Sequence, residues 1–231
     1  MSMGLAHQMF VGLVAACCSQ LPCQAADNAP LMATYRLETT SKSEAAARSL
    51  QWQLRRAAGC VVVSDDQGRV TERWDRDAQG RIWYRRIFHV EKKVIEYQPA
   101  DLRMAAVEAE WARIAGIIDP RELQQLTLQP TSSTFEGEVV ATYRGMRAGV
   151  PWEIGWLATE GIPERIVVRG PGGDSTLRLI TKEHSPAQAG VCDIPGLTDY
   201  DTIDFADIGD RHGDPFIERL MKYEGLMHGH R

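Results

Sequence analysis

At 231 residues, with 44% hydrophobic and 25% charged side chains, the chain has ordinary globular composition and enough length to bury a sizeable core. Its formal charge of −5 argues against a nucleic-acid footprint, which needs a basic face or stripe. The negative charge is concentrated at one end: from Asp193 onward nine acids stand against four bases, whereas residues 1–192 carry 22 of each. That sign suits cations or a basic partner.

The N-terminus has the form of an export signal. "MFVGLVAACC" (9–18) is an apolar run of ten residues, too short to span a bilayer. "QLPCQAAD" follows, with small residues Cys23 and Ala25 at the −3 and −1 positions of a cut after Ala25. The segment before the apolar run has no Lys or Arg, only His7. A second processing also fits: "VAAC" (14–17) resembles the lipobox of bacterial lipoproteins, which makes Cys17 the lipidated residue and implies membrane association. Both readings predict an exported protein located in the periplasm. Cleavage after Ala25 leaves Cys60 and Cys192, either as a disulfide of an oxidising compartment or as two separate buried thiols. Closing so long a loop contributes about 4–5 kcal/mol in the chain-entropy model. Neither cysteine has a C-x-x-C partner, so redox catalysis is not expected.

From 31 to 183 strand patterns dominate. "LMATYRLETT" reads as a first strand, and "SLQWQLRR" alternates Leu50, Trp52 and Leu54 with polar residues. After "GCVVVSDDQG", two stretches echo one another twelve residues apart, "DDQGRVTERWDR" (65–76) and "DAQGRIWYRRIF" (77–88). Gly68 and Gly80 mark their hairpin turns, giving a meander that continues through "KKVIEYQP" (92–99). Bulky residues on both faces of "RIWYRRIFH" predict a strand covered on both sides.

A helical insertion follows. "ADLRMAAVEAEWARIAG" reads as one helix from an Asp101 N-cap to Gly116, and "DPRELQQL" starts a second with Asp119 as cap and Pro120 in its first position. Strands resume at 135–145, 150–159, 164–170 and 175–183, with "GPGGDS" as the last hairpin turn. The expected fold is α+β: a large curved, mostly antiparallel sheet of about ten strands, with helices near 101–126. The expected organisation is a signal peptide (1–25), one curved-sheet domain (26–192) and an acidic tail (193–231) with a helix near 215–224.

"VPWEIGWLATEGIPERIVVRGPGGDSTLRLITKE" (150–183) resembles the strand–turn–strand–strand signature of the periplasmic lipoprotein-carrier superfamily. The shared features are a Trp-containing strand, the turn Gly161-Ile162-Pro163, "ERIVV" and a hairpin. "ATEG" departs from the family's acidic D-x-x-T-G. The resemblance implies an open, strongly curved antiparallel sheet wrapped around helices, and it speaks to fold more than to function.

Catalytic motifs are absent: no G-x-S-x-G, H-E-x-x-H, phosphate loop or dinucleotide fingerprint occurs, so no enzymatic role is expected. The stronger feature is apolar. Trp152, Ile154 and Trp156 share one face of a strand, Leu177 and Leu179 a face of another, and Trp52 and Trp74 repeat the arrangement. These seven residues either line a cavity for an apolar small molecule or lipidated protein, or pack on the 101–126 helices as core.

In the tail, Asp204, Asp207, Asp210 and His212 form a candidate set for a divalent cation. The alternative is an extended acidic segment stapled to the domain by its Ile and Phe side chains. Asp214 and Pro215 start a helix whose apolar face is Phe216, Ile217, Leu220 and Met221. The sequence thus favours an exported binding, carrier or assembly-accessory protein. A metal-binding accessory protein that uses its acidic tail is the second reading.

Overall fold

The computed structural model describes residues 30–42, 47–105, 107, 109–184, 190–211 and 213–227, with side chains up to Lys222 in the last of these segments. The leader, with Cys17 and the cut after Ala25, lies outside the described residues, as does His212.

Among the described residues, twelve strands form one open sheet. They are β1 (Leu31–Thr39), β2 (Arg48–Ala57), β3 (Cys60–Asp65), β4 (Val70–Arg76), β5 (Ile82–Phe88) and β6 (Lys93–Tyr97), then β7 (Thr127–Phe135), β8 (Glu138–Arg147), β9 (Val150–Leu157), β10 (Ile162–Gly170), β11 (Gly173–His184) and β12 (Asp201–Asp204). Three short helices, α1 (Pro99–Met104), α2 (Trp111–Gly116) and α3 (Pro120–Leu123), interrupt the strands, and α4 (Pro215–Met227) ends the described chain. The spatial order is β12-β6-β5-β4-β3-β2-β1-β11-β10-β9-β8-β7. Every pairing is antiparallel except that of β12 with β6.

The count exceeds the expected ten by β7 and β12. β7, "TLQPTSSTF", has no apolar alternation to reveal it, and its Pro130 is tolerated because β7 is an edge strand. β12 has four residues and one buried side chain, Ile203. The single helix expected over 101–116 is two. Gln98, not Asp101, caps α1; Asp101 sits at the third helical position and accepts from the Gln98 backbone N–H at 2.8 Å. Leu102 anchors α1 in the core beside β5 and β6, and Trp111 anchors α2 beneath the Arg76 guanidinium, 4.4 Å from its ring. The chain breaks between these two tertiary anchors, which outweigh the helical period of the intervening alanines.

Asp119 caps α3 as expected, accepting from the Arg121 backbone N–H at 2.8 Å. Asp214 likewise caps α4 through the Phe216 N–H at 2.8 Å, and α4 runs past Gly225 to Met227.

Cross-strand register carries one face through the sheet. Trp152 lies opposite Val168, Ile154 opposite Ile166, Leu177 opposite Leu37, Tyr35 opposite Trp52, Leu54 opposite Val63, and Trp74 opposite Tyr84. This inner face, the helices and α4 share one core cluster. After β11 the chain crosses the other face. Cys192 is joined to Cys60 by a disulfide, Arg55 donates to the carbonyls of Val191 and Asp193, and Arg73 donates to that of Cys192. Tyr200 then meets His89, which also bridges to Thr71. β5 is covered on both sides, with Tyr84 buried on the inner face and Ile87 on the outer. β12 zips onto β6, and Ile208, Phe216, Ile217 and Leu220 return the chain to the inner core.

Candidate ligand-binding face

The seven apolar residues singled out in the sequence all belong to the inner face. Trp74, Ile154, Trp156, Leu177 and Leu179 are buried members of the core, while Trp52 and Trp152 pack against it half-buried. Cover is unequal because the helices are placed unequally. α2 sits over the upper half, where Gly116 brings its backbone against Gly161; a Cβ at Gly116 would lie 2.7 Å from the Gly161 carbonyl oxygen. Arg56, itself buried, donates to the carbonyls of Ala115 on α2 and Glu160. Trp156 is sealed there, its ring 3.7 Å from where that Cβ would stand.

The opposite half is more open. Leu37, Trp52, Val63, Trp152 and Val168 are partly exposed there, and Leu50 is 45% exposed. The Tyr35 and Trp52 rings stack at 4.8 Å, so Trp52 rests on a rigid floor. Tyr35 donates from its hydroxyl to the Pro163 carbonyl at 2.9 Å, and burial pushes its pKa up. Trp152 is flanked by Gly145, whose missing Cβ lets Leu126 approach, and is capped by the Arg147 guanidinium 4.4 Å above its ring. Arg147 also pairs with the buried Glu122 of α3, which is shared with Arg113. Glu72 and Arg86 occupy the same face farther toward β6, with Arg86 over the Phe88 ring at 5.3 Å. The open half is therefore an apolar floor with charged margins, suited to a chain-like apolar group.

Leu37, Val63 and Val168 join this floor through register alone. Each belonged to a visible strand, but no sequence signal separated them from sealed core. Arg147 carried no sequence signal at all, since its partner lies in another element.

Of the expected metal set, His212 lies outside the described residues, and the three described aspartates do not converge. Phe205–Asp210 is a 3-10 turn, in which every third side chain is stacked, so Asp207 and Asp210 make a row rising about 6 Å rather than a convergent group. Asp204 is occupied as the cap of that turn, accepting from the Ala206 N–H and from Gln98 Nε2, each at 3.0 Å. Among the described residues no three His, Cys, Asp or Glu side chains gather. The described part of the acidic segment is held as the alternative reading has it, by Ile203 and Ile208 in the core and Phe205 stacked on Tyr97 at 4.5 Å.

Neither a protein-family model nor a curated protein matches the sequence. Solved structures resemble it remotely. PNGF-II shares 9% identity at a TM-score of 0.43, over 79% of this chain and 33% of that one, so this chain spans about a third of its length. A LolA superfamily protein of Nitrosomonas europaea shares 10% identity at 0.37, covering 72% of this chain and 92% of that one. A DUF1329 family protein of Desulfovibrio piger shares 7% at 0.35, over 71% and 89%.

Proposed function

We propose that the chain is an exported, non-enzymatic binding protein that holds an acyl chain or similar apolar group on the open half of its inner face. The observation that supports this reading is the contrast between the halves. α2 seals the upper one, whereas Leu50, Trp52, Trp152 and Val168 leave a contiguous apolar floor in reach of solvent. A floor built from rigid aromatics binds an apolar group at small entropic cost. Export agrees with the Cys60–Cys192 disulfide.

Uptake of a fluorescent fatty-acid probe by the purified protein tests this. Binding is expected in the wild type and is expected to fall at least tenfold in Trp152→Asp and Trp52→Asp, because a carboxylate on the floor must be desolvated. Trp83→Asp, on the outer face, is expected to bind normally. Wild-type protein that neither takes up the probe nor carries lipid sinks the proposal.

A further inference from the structure

We infer that the hairpin end of β8–β11 is a docking surface for anionic phospholipid bilayers, with a headgroup phosphate held between Arg144 and Arg169. A pocket of about 360 Å³ opens there, bounded by Arg144 and Gly145 of β8, Pro151–Glu153 of β9 and Arg169 of β10. Its charges are arranged for an anion. Glu153 is buried, and both of its oxygens are engaged, one by Arg144 Nε at 2.9 Å and the other by Arg165 at 2.5 Å. That ion pair fixes the Arg144 guanidinium in place and leaves its outer donors for a further acceptor. Arg169 is exposed and makes no ion pair with a described residue. Asp174 lies opposite it in the register but forms no salt bridge with it.

The surroundings select a bilayer over a free phosphate. The turn tips beside the pocket, Ala148–Gly149 and Pro171–Gly172, are exposed and uncharged, and Met146 on the same end of β8 is 60% exposed. Trp152 contributes to the pocket wall. Guanidinium groups flanked by small apolar turns and an exposed Met match the composition of a membrane–water interface. The chain's net negative charge does not oppose this contact. The acidic segment carries β12, eight strand spacings from β10, which is about 38 Å along the sheet against a Debye length of ~8 Å at physiological ionic strength. Trp152 of the proposed apolar floor lies at the same end of the sheet, with its ring on the face opposite the two arginines.

Flotation with vesicles of equal parts phosphatidylglycerol and phosphatidylcholine tests the inference, beside vesicles of phosphatidylcholine alone. The full chain is expected to float with the anionic vesicles, less as salt is raised, and not with the neutral ones. Arg169→Glu is expected to lower partitioning roughly tenfold or more. Asp174→Asn is expected to raise it, and Arg103→Glu, an equal charge change at an exposed position of α1, to leave it unchanged. Fatty-acid probe uptake without vesicles, expected to be normal in Arg169→Glu, keeps this outcome separate from that of the proposed function. Equal binding to neutral vesicles, no flotation, or equal effects of Arg169→Glu and Arg103→Glu overturns the inference. Retention on immobilised polyglutamate without flotation overturns it in favour of an acidic polypeptide partner.

Discussion

Lys182 lies at the end of β11 with its ammonium 2.5 Å from Glu138 and 2.8 Å from Glu160, and its side chain is 10% exposed. Burial pushes the Glu160 carboxyl up, but hydrogen bonds and charge from Lys182 and His184 outweigh it and hold Glu160 below its ordinary value of 4.5. For Lys182, burial acts downward and is outweighed by its two carboxylates, so its pKa is raised above 10.5. A depressed carboxyl contributes stability above its unfolded pKa and loses it as pH falls through the folded one. A raised ammonium contributes below its unfolded pKa and loses it as pH rises through the folded one. The network is therefore fully stabilising from about pH 5 to 10. Lys182→Met strands two carboxylates and is expected to cost about 3 kcal/mol at pH 7. Urea melts should show the gap to wild type narrowing below pH 4.5; a gap independent of pH excludes Glu160 as the cause. Nothing in the sequence marked this network, because its members come from three separate strands or turns.

At the scale of elements, the passage from β11 to β12 shows how a charged segment becomes part of a sheet. The disulfide pins its start across 132 residues, Arg55 and Arg73 hold its carbonyls, and Lys93 bridges Asp201 and Asp214 at its end. The hydrogen bond from Lys93 is the leading reason that the Asp214 carboxyl sits below its ordinary value. Cys60→Ser is expected to destabilise the fold by up to about 4–5 kcal/mol, read from the urea midpoint. An unchanged midpoint would show that the arginine clamps and β12 suffice. Both helix starts with Asp-Pro were legible because capping is local chemistry. The break between α1 and α2 was not, since Leu102 and Trp111 are held by residues far away in sequence.

For the whole molecule, one core cluster runs from Leu31 to Leu220 and takes in the inner face, the helices and α4, while Ala57, Val62, Val191 and Cys192 form a small second cluster on the outer face. A shared core predicts a single cooperative transition, in which tryptophan fluorescence and far-UV circular dichroism coincide and the calorimetric and van't Hoff enthalpies agree. Ending the chain at residue 198 removes Ile203, Ile208, Phe216, Ile217 and Leu220 from that core, and is expected to give a destabilised product that binds a hydrophobic dye. A truncated chain with wild-type stability would show that the acidic segment is independent of the sheet.

The sequence by itself determined the strand alternation, most hairpin turns, two helix starts and the membership of the inner face, because side-chain direction in a strand follows a local period of two. Tertiary structure decided the rest. β12 pairs with a strand more than a hundred residues away, and β7 is a strand only because β8 offers it an edge. Which inner-face residues are sealed depends on where α2 and α3 come to rest. The Arg144–Arg169 pocket exists because β9 places β8 and β10 on either side of Glu153. Such features are long-range contacts, and local periodicity carries no record of them.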